Sequence, residues 1–113
     1  MISADEVRQL ALSLPGVEER ETWGHPTFRV RDKIFATLSP SGQHAGIKSS
    51  LDQQNILTMA DPETFTIADY TGRYGWCTVL LESVDPVMMR DLVIDAWRRT
   101  ASKRLIALYD ASE

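Results

Sequence analysis

Apolar positions change period several times along the chain, and each change marks an element. Val7, Leu10, Ala11 and Leu14 fall at i, i+3, i+4 and i+7, one helical stripe. Ser3 and Glu6 have the spacing of a capping box just before it, and Asp5 and Glu6 suit a helix N-terminus. Pro15-Gly16 ends the helix. Val17 to Thr22 is acidic and only weakly strand-like, and reads as a connector. The period then becomes two: Phe28 and Val30 alternate with Thr27, Arg29 and Arg31. Ile34, Ala36 and Leu38 continue the alternation beyond Arg31-Asp32, which reads as a hairpin tip. Strands are predicted at about 27–31, 33–39 and 43–48, with Ser39-Pro40-Ser41-Gly42 a turn. Short turns force these neighbours to be antiparallel, because parallel ones need a long crossover.

In the second half, Ser50 and Gln53 repeat the capping spacing, and Ile56, Leu57 and Met59 mark a short helix that Asp61-Pro62 stops. Phe65 to Ala68 and Trp76 to Glu82 read as two further strands. Between them lies Asp69-Tyr70-Thr71-Gly72-Arg73-Tyr74-Gly75, a loop with two tyrosines and two glycines. Asp85 is an N-cap with Pro86 at the first helical position. Met89, Leu92, Val93, Ala96, Trp97, Thr100 and Leu105 then keep helical spacing. Unbroken to Tyr109, this helix would be about 35 Å long, with Ala101-Ser102 the natural place for a bend. The expected fold is α+β: a two-layer α/β sandwich with a five-stranded antiparallel sheet, element order α-β-β-β-α-β-β-α, and helices on one face. One domain, 1–113, holds it all. The uncovered sheet face is then a natural binding surface.

Charge and cysteine content narrow the function. The net charge of −4 opposes nonspecific binding to duplex nucleic acid, where basic surface supplies most of the affinity. Cys77 is the only cysteine, too few for a disulfide or a cysteine-based zinc site and in keeping with a reducing cytoplasm. No signal peptide or membrane-length apolar run is visible, so the expected location is cytoplasmic, with no membrane partner.

Eight residues carry the candidate chemistry. Arg29, Arg31 and Lys33 cluster at the hairpin, Lys48 ends the third strand, and Arg73 lies in the tyrosine loop. Folded together they would make one cationic patch for phosphates or carboxylates. Trp23 and Trp76, with Tyr70 and Tyr74, offer rings for stacking single-stranded bases or a flat ligand. Each also has a plainer reading, the arginines as a solvated hairpin and Trp76 as core. His25 can serve as a base or ligand, or simply as a surface or capping histidine; no acidic or nucleophilic partner is fixed by spacing. His44 lies near a turn and has the weaker case. The basic run Arg98, Arg99, Lys103 and Arg104 reads as a solvated helix end. No phosphate loop, nucleophile elbow or paired metal motif occurs, so no catalytic residue, metal ligand or cofactor is assigned.

Four stretches in order, Trp23-Gly24-His25-Pro26-Thr27-Phe28-Arg29-Val30 with Lys33 and Phe35, Ala60-Asp61-Pro62-Glu63-Thr64-Phe65, Tyr70 to Trp76, and Ala96-Trp97-Arg98-Arg99-Thr100-Ala101 before Lys103-Arg104-Leu105, resemble the MmcQ/YjbR family. The resemblance implies a two-layer fold like that of CyaY or the secretion chaperones, and it brings the family's "double wing" DNA-binding label. It supplies no catalytic residues. Three readings follow. The first is a non-enzymatic module that binds DNA on a basic and aromatic sheet surface. The second is a chaperone-like module that holds a protein partner, or a second copy, on the open sheet face. The third is a small-ligand binder or enzyme with a pocket near His25, Arg29 and Trp76.

Overall fold

The structure, a computed structural model, describes residues 1–112. Helix α1 (Ala4–Leu12) begins at the expected capping box, with Ser3 Oγ accepting from the Glu6 amide and Glu6 accepting from the Ser3 amide. Four strands follow, β1 (Glu18–Thr22), β2 (His25–Val30), β3 (Lys33–Leu38) and β4 (His44–Ile47). Helix α2 (Leu51–Ala60), β5 (Phe65–Ile67), a 3-10 turn at Gly72–Tyr74 and β6 (Cys77–Leu80) come next, then helices α3 (Pro86–Arg98) and α4 (Lys103–Ala111). The α+β class stands, but the sheet has six strands in the order β1-β2-β3-β4-β6-β5, all antiparallel.

Two differences from the sequence reading have clear causes. The extra strand is β1, Glu-Glu-Arg-Glu-Thr, where a connector was expected. It is an edge strand that buries almost nothing, so no apolar alternation marks it, and its charges guard the open edge. The long C-terminal helix is two helices. Ser102 Oγ accepts from the Leu105 amide and starts α4 afresh. The chain folds back there, so that Tyr109 meets Trp97 edge-on with ring centres 5.4 Å apart and Arg98 reaches Asp110 at 2.6 Å.

The sheet register sorts side chains into two faces. Phe28, Ala36, Ile47 and Cys77 lie in one cross-strand row, and Leu38, Ala45, Val79 and Phe65 in a second. All eight are buried and form one core with Val7, Ala11, Met89, Val93, Ala96 and Trp97 from the helices. Ile34 opposes Arg29 while Ala36 opposes Phe28, so Phe35 is the extra residue of a bulge that bends β3. Trp97 Nε1 donates to the Pro15 carbonyl at 3.0 Å, tying α3 to the end of the first helical segment. No helix among the described residues is long and apolar enough to cross a membrane.

Candidate ligand-binding site

Between the two core rows runs a polar row on the opposite face: Arg20, Thr27, Thr37, Gly46, Thr78 and Thr66, one from each strand. No helix covers it. A cleft of about 490 Å³ opens over this row, lined by His25, Ile34, Thr37, Ser39, His44, Gly46, Ala68, Asp69, Thr71, Trp76 and Thr78 among others. Gly46 makes the hollow. A Cβ there would stand 2.5 Å from Thr37 Oγ1 and 3.9 Å from Trp76 Cε3. Any larger residue would fill the floor between the threonine hydroxyl and the indole.

The far wall is the β5–β6 loop, and α2 holds it. Gln54 is buried, and its side-chain amide donates to the Gly72 carbonyl at 2.7 Å and to the Trp76 carbonyl at 2.8 Å. Gly75 lets the loop close against β4 and α2. Its φ is +98°, and a Cβ there would meet the Ser49 carbonyl oxygen at 2.7 Å and Ser50 backbone at 2.7 Å. The backbone at Trp76 is thus held at its own carbonyl by Gln54 and at the preceding Gly75 by its close approach to Ser49 and Ser50. Nothing in the sequence singled out Gln54, because its role depends on which loop folds beside it.

The eight candidates divide. His25 and Trp76 do share the cleft, and His44 joins them. Neither histidine ring has a hydrogen-bond partner among the described residues. Trp76 is half-buried on the uncovered face, not in the core. Arg29 stands beside the cleft but is committed: its guanidinium donates to Thr22 Oγ1 at 2.9 Å, lies 3.9 Å from Asp32, and has 18% of its side chain exposed. Arg20 next to it is bound by Glu18 and Asp32. Arg31 sits at the turn with φ +55°. Lys33 pairs with Val30, whose side chain is buried under the helices, so it falls on the opposite face from Arg29. Lys48 follows β4 outside the cleft lining, and Arg73 lies over the Tyr74 ring at 4.8 Å. The cations are therefore dispersed or paired, not gathered in one patch. Trp23 marks the β1–β2 turn, 96% exposed with φ +53°; Tyr70, between two cleft residues, is 95% exposed with φ +63°. Cys77, on β6 between β4 and β5, is buried in the core, and burial pushes its thiol above the usual range. No cluster of three or more His, Cys, Asp or Glu able to hold a metal occurs among the described residues.

Fold and cleft together define a class: a small two-layer α/β module whose sheet is roofed on one face and open on the other. The chain belongs to the YjbR family, whose model matches residues 12–99. It is similar in fold to the crystal structure of Deinococcus radiodurans protein DR2400, which carries a DUF419 domain. That match has a TM-score of 0.79 at 18% identity and covers 86% of this chain and 77% of the other. No curated protein matches the chain.

Proposed function

We propose that this chain is a non-enzymatic binding module that takes its ligand on the uncovered sheet face, in the cleft walled by Trp76. The observation that carries the reading is the Thr37–Gly46–Thr78 row beneath the indole. An open sheet face of this kind normally fills with side chains. Here a glycine keeps it hollow beside a half-buried aromatic, with hydroxyls at hand to orient a ligand. Ligand sites of this size combine apolar walls with few polar groups. The lone imidazoles of His25 and His44, with no carboxylate or nucleophile bonded to them, favour binding over catalysis.

A second reading, single-stranded nucleic acid on the same face, is favoured by Lys48 and Arg73, which form no ion pair among the described residues, and by the exposed Tyr70 and Tyr74. One titration tests both. Backbone and indole NMR signals are followed while small metabolites and single- and double-stranded oligonucleotides are added at low salt. Saturable shifts at Trp76 and at β3, β4 and β6 support the proposal. Shifts confined to the helical face, or none at all, refute it. An oligonucleotide response that collapses with added salt, with no small metabolite moving Trp76, assigns the site to nucleic acid.

A further inference from the structure

We infer that the cleft binds a guanidinium cation carried on a small molecule, with Asp69 as counter-charge and Trp76 as the stacking surface. This rests on the reading of the open face given above and names its ligand class. Among the residues lining the cleft, Asp69 alone carries a permanent charge; no lysine or arginine reaches the lining. Its carboxylate has no hydrogen-bond or ion-pair partner among the described residues. The acids around Arg20 and Arg8 are occupied, Glu18 and Asp32 with Arg20 and Glu19 with Arg8, and none of them lines the cleft. Arg20 and Arg29 are thus held away from the cleft, and Asp69 is left as an unpaired carboxylate in its lining. A cleft so charged concentrates cations and disfavours phosphates and carboxylates.

The neutral groups agree with the charge. Thr37 and Thr78 stand on either side of Gly46 in the same cross-strand row, and neither hydroxyl has a protein partner among the described residues. Both can accept from an N–H donor. The indole of Trp76 lies beside them, 3.9 Å from where a Cβ on Gly46 would stand. A flat cation with several donors in its plane fits this set. Guanidinium stacks on an aromatic face and is less strongly hydrated than an ammonium, so it is the better match. The volume, about 490 Å³, suits a small molecule.

The test uses the whole chain at about pH 8, above the range in which histidine ordinarily titrates. Butylguanidinium and its uncharged isostere butylurea are each titrated while the indole N–H signals are followed, with Trp76→Phe identifying the Trp76 signal. The expected result is a saturable shift of that signal with butylguanidinium, with the buried Trp97 signal still. Butylurea and the Asp69→Asn variant should each bind at least about tenfold more weakly. Asp69→Asn removes no protein contact, so unchanged melting accompanies the loss. A blocked arginine tripeptide separates the sources: equal or weaker binding than butylguanidinium supports a free small molecule, and binding more than about tenfold tighter overturns that part. If butylurea matches butylguanidinium at Trp76, or Asp69→Asn binds as well as the parent, the cation assignment falls while the open-face reading survives. If neither compound nor any member of the metabolite and oligonucleotide panel moves Trp76, both fall.

Discussion

Replacing Gln54 by leucine isolates the contact that holds the cleft wall. The change removes two donated hydrogen bonds, to the carbonyls of Gly72 and Trp76, and nearly preserves side-chain volume. Both carbonyls keep a second donor: the Gly75 amide reaches Gly72 at 2.9 Å, and the Ala68 amide reaches Trp76 at 3.3 Å. Neither acceptor is stranded, so the cost is near the net value of two ordinary hydrogen bonds plus some residual desolvation, about 2–3 kcal/mol. For a chain of this length that lowers the melting temperature by about 8–13 °C. Calorimetry measures the shift, and urea unfolding gives the same free energy from its midpoint. The signature beyond stability is local: the Trp76 indole signal should broaden or move while that of Trp97 stays. A drop below about 2 °C, or a loss spread evenly over the core signals, would show that Gln54 does not hold the loop.

Three other outcomes follow from the same geometry. Trp23→Asn should raise the melting temperature by about 2–4 °C, since a bulky residue at φ +53° gives way to one suited to an Asn-Gly hairpin turn and almost no contact is lost; a fall would mean that the indole has a packing role. Cys77 should resist a thiol reagent in the native protein and react fully once unfolded, because it is buried and its thiol is held protonated; rapid native labelling would contradict its placement. The hydrogen bond from Arg98 holds the Asp110 carboxyl below its ordinary value. Its contribution is therefore complete above the unfolded carboxylate range and fades as pH falls through the lowered value. Urea midpoints measured from neutral pH into acid should fall less steeply for Asp110→Asn than for the parent, and identical slopes would dismiss the contact.

What was legible in the chain depended on locality. Ser3, Glu6, Ser50, Asp85 and Pro86 act within one turn, and α1, α2 and α3 begin where they stand. Arg31-Asp32 forms its tip with two positive φ angles, as two short strands demand. Strand β1 was hidden because pairing at an exposed edge needs no apolar side chains. The α3–α4 break was visible as a bend at Ala101-Ser102, but the docking of Tyr109 on Trp97 across it is a tertiary contact that local spacing does not show. In the site, His25 and Trp76 were visible as residue types capable of binding. The hollow between them was not, because Gly46 matters only through its neighbours Thr37 and Trp76 on other strands. The supposed cationic patch failed for a related reason. The Arg31-Asp32 turn reverses the chain and pairs Lys33 with Val30, on the opposite face from Arg29, and Arg29 itself is committed to Thr22 and lies 3.9 Å from Asp32.

Gly46→Val tests the central claim most directly. Valine suits a strand, and its side chain would occupy the cleft floor by turning the Thr37 hydroxyl aside, on a face where no helix has to move. The account predicts a protein that melts and disperses its NMR signals like the parent but no longer shows any Trp76 response to the ligand panel. A Gly46→Val protein that folds and still binds with parental affinity would place the ligand elsewhere and contradict the account.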